Sequence, residues 1–261
     1  MKDKEFEGKN VLITGAGGGI GKTIALKFAE QGAAVIGADI NRENLDQLNQ
    51  LFEKNNYKGK MTLLNVSDSQ QVNTRIEEIE YSVGPLDVLV NVAGILKPGL
   101  IENFTDDEWN ATFSVNTTGV FNVSRAVAKS MIDRRKGSII TVGSNASCTP
   151  RTSMAAYAAS KAAAAMLTKC LGLELSQYNI RCNIVSPGST DTDMLKQLWK
   201  DENGASDSIN GVLEDYRVGI PLRKLAKPSE VAEAVMFLAS ERSWHITMQN
   251  LTVDGGATLG V

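Results

Sequence analysis

Asn10-Val11-Leu12-Ile13-Thr14-Gly15-Ala16-Gly17-Gly18-Gly19-Ile20-Gly21 runs from an apolar, β-branched segment into a cluster of glycines, and a helical pattern follows. Glycine suits such a turn because the chain reverses tightly and its backbone must come close to a pyrophosphate. The following helix offers that anion free N–H groups and the positive end of its dipole. The spacing is informative. G-x-G-x-x-G fails from Gly15, because Ile20 fills the third slot, whereas T-G-x-x-x-G-x-G fits on Gly15, Gly19 and Gly21. Alone, the glycines would equally suit a mobile turn; the strand before and the helix after them favour a dinucleotide.

Working outward, short apolar runs alternate with helical patterns. Strand-like runs are Asn10–Thr14, 34–38, 61–66, 86–91, 138–142, 180–185 and Asn250–Val253. Several are almost continuously apolar, as strands covered on both faces are. Helical segments include 21–31, 41–54, 69–82, 155–177 and Pro228–Ala239, and Thr105 with Glu108 reads as a capping box. Gly32 stands where the first helix should end. This alternation predicts an α/β fold: a doubly wound parallel sheet of about seven strands with helices on both faces. Residues 1–261 read as one dinucleotide-binding and catalytic domain. The irregular, polar stretch 188–217 has no clean strand and reads as a substrate lid.

Composition removes several classes of function. Lys+Arg number 27 against 30 Asp+Glu, a net charge of −3, which argues against a nucleic-acid surface. His245 is the only histidine, so paired-histidine metal motifs are excluded and no metal site is expected. Catalysis should use another base. Cys148, Cys170 and Cys182 show no CxxC spacing and read as reduced, buried small hydrophobes of a cytoplasmic protein. No N-terminal apolar core suggests a signal peptide, and no run approaches the roughly 20 apolar residues of a membrane span.

Asp39 ends the second strand, 18 residues after Gly21, where a carboxylate can accept hydrogen bonds from an adenosine ribose. It would repel a 2′-phosphate, so NAD is expected rather than NADP. Arg42 is the competing feature: turned inward it would favour the phosphate, turned outward it is a solvated charge at a helix start. Tyr157 and Lys161 stand at i and i+4 of an alanine-rich helix and so share a face. A phenol of pKa about 10 is a poor base, and a neighbouring ammonium favours its phenolate. Such a pair also arises on ordinary surfaces. Ser144 ends the fifth strand, where a parallel sheet places its chemistry, and its hydroxyl can bond a substrate oxygen.

Together these residues resemble the short-chain dehydrogenase/reductase family, over essentially the whole chain. The matching positions are 14–21, Asp39, Asn91-Val92-Ala93-Gly94, Asn116, Ser144, Tyr157, Lys161 and Pro187-Gly188. The resemblance implies that Tyr157 is the catalytic acid/base and that Lys161 holds the nicotinamide ribose and lowers the tyrosine pKa. It implies that Ser144 orients substrate and that Asn116 holds a proton-relay water. For the cofactor it implies Gly15, Gly19, Ile20, Gly21 and Asp39, then Asn91, Ala93 and Gly94 on the adenosine side. Pro187, Gly188, Thr190 and Thr192 fall on the nicotinamide side. One departure is Asn65-Val66 after the third strand, where the family usually has Asp-Val. The Asn65 carbonyl can still accept from an adenine amino group but lacks the charge. Family habit further implies a homotetramer.

Segments 149–157, 170–175, 186–194, 245–248 and 254–261 resemble one branch of that family. It oxidises a cyclohexadiene diol carboxylate to a catechol in siderophore biosynthesis. Arg151, between Ser144 and Tyr157, could grip such a carboxylate in a bidentate pair or be a surface charge. Met194 and Trp199 could cover the ring or merely pack under a loop, and His245 reads as structural or as a subunit contact. Two other readings stand beside this one. One is a 3-oxoacyl-thioester reductase running on NADPH; the other is a dinucleotide-binding regulator without chemistry.

Overall fold

The computed structural model describes residues 4–260, so 1–3 and Val261, the ends of two stretches read above, lie outside the described residues. The first half comprises β1 (Asn10–Thr14), α1 (Gly19–Glu30), β2 (Ala34–Asp39), α2 (Arg42–Lys54), β3 (Gly59–Leu63), α3 (Ser69–Val83) and β4 (Val88–Asn91). The second comprises α4 (Asp106–Phe113), α5 (Gly119–Arg134), β5 (Gly137–Val142), α6 (Ala155–Leu175) and β6 (Ile180–Pro187). Two short helices, α7 (Asp193–Lys196) and α8 (Gly204–Asn210), precede α9 (Pro228–Ala239) and β7 (Asn250–Val253). The seven strands form one parallel sheet in the order β3-β2-β1-β4-β5-β6-β7. The order reverses between β1 and β4, so the loops leaving those strands diverge and a crevice opens at the carboxyl ends.

Side chains alternate across the sheet, and each set meets its own helices. Val11, Ile13, Val35, Val88, Val90, Ile140 and Val142 pack with Phe28 of α1 and with Val231 and Val235 of α9. Leu12, Ile36, Leu89 and Ile139 face the other way, onto Ile76 and Ile79 of α3 and Val123, Val127 and Met131 of α5. The near-continuous apolar strands are thus explained by two cores, one on each face. Local signals hold as well. Asn41 and Asp68 cap α2 and α3, and Thr105 with Glu108 closes the expected capping box on α4. Gly32, at φ +90°, donates to Ala29 O at the end of α1.

Some boundaries move. β3 covers Gly59–Leu63 rather than 61–66, because among the described residues its only neighbour is β2 and the pairing stops at Asp39 opposite Leu63. Residues 64–66 therefore leave the sheet toward the crevice. β6 runs on to Pro187 because β7 supplies it a partner in Val253. The first helix begins at Gly19, inside the glycine turn. Cys182 is buried, and burial pushes its thiol up to about 12. Cys148 and Cys170 are exposed, contrary to expectation. Cys170 lies two residues from both Thr168 and Gly172, which belong to the buried face of α6, and so points away from it. Among the described residues no helix is long and apolar enough to cross a membrane.

Arg181 of β6 ties the sheet to the end of α9. Its guanidinium donates to the carbonyls of Leu238 (2.7 Å), Ala239 (3.2 Å), Ser240 (3.0 Å) and Ile246 (3.4 Å), and to Ser243 Oγ (2.9 Å). Carbonyls at a helix C-terminus lack intrahelical donors and carry the negative dipole end, so a planar cation with a fork of donors satisfies several together. Arg181→Ala is expected to lower stability by roughly 2–4 kcal/mol, with Arg181→Lys recovering only part. The denaturant midpoint measures this; an unchanged midpoint in the alanine variant would refute it.

Candidate active site

The crevice above β1 and β4 is a cleft of about 900 Å³. Its near end is the glycine turn. Gly15 has φ +66°, and a side chain there would stand 2.8 Å from Ala93 Cα. A Cβ on Gly21 would lie 2.0 Å from Gly15 O, so only glycine lets the first turn of α1 sit against the strand end. Gly15, Gly19, Ile20 and Gly21 all line the cleft. α2, α3 and α4 each begin with a side-chain cap, but α1 has none and carries no acidic residue in its first turn. Its N-terminal amides are therefore left to an external anion, which fits a dinucleotide pyrophosphate.

Asp39 lines the same end. Its carboxylate accepts from Gly17 N (2.9 Å) and Asn41 N (2.9 Å), clamping the glycine turn to the end of β2. Gly17 was not singled out in the sequence, yet a Cβ there would meet Asn44 Cβ at 2.6 Å and Asp39 Oδ2 at 2.9 Å. Arg42 is exposed and absent from the lining, so the outward reading holds. Asn65 and Val66 line the cleft. The Asn65 carboxamide oxygen already accepts from Ser67 N (3.1 Å), so one of its lone pairs is taken. Ala93, Gly94, Pro187, Gly188, Thr190 and Thr192 line it too.

Two expected positions differ. Asn91 is buried beneath the floor, where its amide donates to Ser124 Oγ (3.0 Å), and it does not line the cleft. As the last residue of β4 it turns inward, while Val92, Ala93 and Gly94 leave the strand and surface. Asn116 is likewise buried, in a π turn over Ser114–Thr118. Its amide donates to Ile95 O (2.9 Å) and Ser160 Oγ (3.0 Å), and its oxygen accepts from Ile95 N (2.8 Å). The side chain thus holds the loop after β4 against α6. A π turn also widens the helix and shifts its carbonyls off their regular partners. A Cβ on Gly94 would stand 3.2 Å from Asn116 Oδ1 and 3.3 Å from Lys161 Nζ, so that glycine keeps the space between them open.

Ser144, Tyr157 and Lys161 are all buried and meet at the floor. Ser144 Oγ accepts from Ala146 N (3.1 Å), and its hydroxyl hydrogen-bonds the Tyr157 phenol. Tyr157 and Lys161 share the inner face of α6, and Lys161 Nζ lies 5.8 Å from the phenol ring centroid. It donates to Val142 O (2.9 Å). Burial pulls the Lys161 ammonium down to about 8. The Tyr157 phenol is raised, because burial outweighs the lowering by the Ser144 hydrogen bond. The expected lowering by Lys161 is therefore not what the folded chain produces by itself: both groups are pushed toward their neutral forms by desolvation.

The far end is apolar with cationic points. Arg151, Met194 and Trp199 all line it, alongside Met154, Leu198 and Ile220. Trp199 packs directly on Gly204, where a Cβ would come within 2.1 Å of its ring. Arg217 also lines the cleft and escaped the sequence reading. It follows no motif, and only the folding of the segment beyond α8 brings it there. His245 is exposed and outside the lining. Among the described residues no cluster of His, Cys, Asp and Glu could hold a metal.

Comparison with known proteins agrees with this geometry. The family model described as short chain dehydrogenase matches residues 9–203. The chain is 58% identical to the 2,3-dihydro-2,3-dihydroxybenzoate dehydrogenase of Bacillus subtilis (strain 168) over 261 residues, all of both chains. It is 43% identical to the protein of that name from Escherichia coli (strain K12), covering 98% of this chain and 99% of that one. Among solved structures, a gluconate 5-dehydrogenase from Burkholderia cenocepacia J2315 in complex with NADP and tartrate superposes with a TM-score of 0.91. It is 36% identical and covers 99% of each chain. The chain belongs to the short-chain dehydrogenase/reductase family.

Proposed function

We propose that this protein is an NAD-dependent 2,3-dihydro-2,3-dihydroxybenzoate dehydrogenase that forms 2,3-dihydroxybenzoate for siderophore biosynthesis. The observation that carries the reading is the end-to-end likeness to the Bacillus subtilis enzyme of that name. The cleft agrees with it: an acid/base pair at the floor, a carboxylate at the ribose end and arginine at the apolar end. A 3-oxoacyl-thioester reductase running on NADPH is disfavoured by Asp39, with Arg42 turned outward. A regulator without chemistry would have no use for Ser144, Tyr157 and Lys161 gathered in one place.

NAD held along the glycine turn, Asp39 and Lys161 would supply the acceptor for the hydride that leaves the carbinol carbon of the diol. Tyr157, as phenolate, takes the hydroxyl proton, and Ser144 donates a hydrogen bond to the oxygen as it becomes a carbonyl. The resulting ring ketone loses a ring proton and gains one on oxygen, giving the aromatic catechol, and this downhill step draws the oxidation forward. Lys161 supplies positive charge beside the phenol and a donor toward the nicotinamide ribose. Asn116 steadies the π turn and the loop after β4, and so positions the backbone beside Lys161 that would hold a proton-relay water. Asp39 accepts from the adenosine ribose, the open amides of α1 hold the pyrophosphate, and Arg151 pairs with the ring carboxylate. Residues 188–217 act as the lid, within one catalytic domain. The protein is a cytoplasmic homotetramer in this reading, supported by exposed Phe121, Met166 and Leu173 on α5 and α6 and Trp244 and Leu251 near β7.

Purified protein with NAD and the dihydrodiol acid should generate NADH absorbance, and no rate above background would sink the assignment. Tyr157→Phe should abolish turnover while NAD binding, followed by calorimetry, stays largely intact. Lys161→Met should cost at least about a hundredfold in kcat/KM at neutral pH. It should also move the rising limb of the pH–rate profile to higher pH, because removing a cation raises a neighbouring phenol pKa. A limb that stays in place would show that the lysine does not tune the tyrosine.

A further inference from the structure

Arg151 and Arg217 both line the cleft, though they come from segments far apart in the chain. Arg151 is carried by the loop between Ser144 and α6, and Arg217 by the segment between α8 and α9. Neither guanidinium has a hydrogen bond or salt bridge among the described residues. They are close enough that the charge of Arg217 disfavours the charged form of Arg151, beyond what burial already does. Two acids in this part of the molecule, Asp254 and Asp215, pair with no arginine among the described residues. Asp254, which partly offsets the repulsion, accepts from Asn145 Nδ2 (3.2 Å), Gly256 N (2.9 Å), Thr258 N (3.0 Å) and Thr258 Oγ1 (2.8 Å). Asp215 pairs with Lys200 at 3.9 Å. Two neighbouring cations in a half-buried cleft repel one another, and an anion bound beside both relieves the repulsion.

The backbone presents Arg217 rigidly. Val212 and Arg217 exchange two backbone hydrogen bonds of 3.0 Å each, closing a small antiparallel loop. Its base is pinched by Gly211 (φ +90°) and Gly219 (φ +80°). A Cβ on Gly211 would come within 2.3 Å of Arg217 O, and one on Gly219 within 2.6 Å of Ile209 O. Backbone pairs with backbone at the base, so the position of Arg217 does not depend on the exposed tip residues Leu213 and Tyr216.

We propose that Arg217 is a second carboxylate anchor, which with Arg151 grips the acid group of the substrate from both sides and selects carboxylated ring diols over uncharged ones. This rests on the reading of the cleft as a dihydrodiol acid site and adds a specificity residue to it. A planar carboxylate has two oxygens and about four lone-pair directions, enough for one guanidinium in a fork and a second at its edge. The anchor belongs to the 188–217 segment, so the acid would bridge that segment to the catalytic loop when it binds. An uncharged diol would lack this bridge.

The test compares wild type with Arg217→Gln and Arg217→Lys, each checked for an unchanged melting temperature. Benzoate and catechol are titrated calorimetrically in the presence of NADH, and the dihydrodiol acid and its carboxylate-free analogue are assayed with NAD. Arg217→Gln should weaken benzoate binding and raise KM for the acid about ten- to a hundredfold. Catechol binding, the KM for NAD and turnover of the uncharged diol should hold, and Arg217→Lys should fall between. Equal benzoate affinity in wild type and Arg217→Gln would overturn the proposal, as would equal losses with the acid and the uncharged diol. The benzoate titration does not depend on turnover. Failure of wild type to oxidise the acid would therefore remove the proposed activity while still deciding the role of Arg217.

Discussion

The parallel pairing of β1 with β4 is the constraint on which the cleft depends. Thr14 Oγ1, at the last residue of β1, accepts from Val92 N (3.1 Å) and Ala93 N (3.3 Å), just beyond β4. Ala93 then lies so close to Gly15 that no side chain fits between them. One hydroxyl therefore sets where two loops part: the glycine turn toward α1, and 92–95 toward the catalytic side. Asp39 ties down the first through Gly17, and Asn116 the second through Ile95. The cleft is rigid at the cofactor end because each lip is held by a buried or half-buried hydrogen bond to the backbone.

The catalytic floor obeys a different balance. Desolvation opposes charge on Tyr157 and on Lys161 alike, so neither is ionised without cost in the folded chain. Lys161, at about 8, still carries its charge at neutral pH, whereas the raised Tyr157 phenol keeps its proton, so the folded chain sets a cation beside a neutral phenol. At the other end Arg151 feels the like charge of Arg217, which Asp254 partly offsets.

Much was legible from residue order. The alternation of apolar runs with helical patterns gave the doubly wound sheet, because strands covered on both faces must be apolar almost throughout. The glycine spacing, Asp39, Ser144 and the Tyr157–Lys161 pair all proved to line one cleft, since each sits at or just after a strand end or on one helix face. Asn91 and Asn116 both turn beneath the cleft, the first at the end of β4 toward Ser124, the second from the π turn toward Ile95 and Ser160. Partners far off in the chain, not the local sequence, set those directions. The strand read as 61–66 shifted because a strand ends where its neighbour stops pairing.

The sequence alone determined the fold class and marked the glycine turn and the Tyr157–Lys161 pair, because these follow from periodicity and from fixed spacings within single elements. The tertiary structure alone decided the electrostatic state of that tyrosine and brought Arg217 near Arg151. Both depend on burial and on proximity across segments far apart in the chain, which no local spacing encodes.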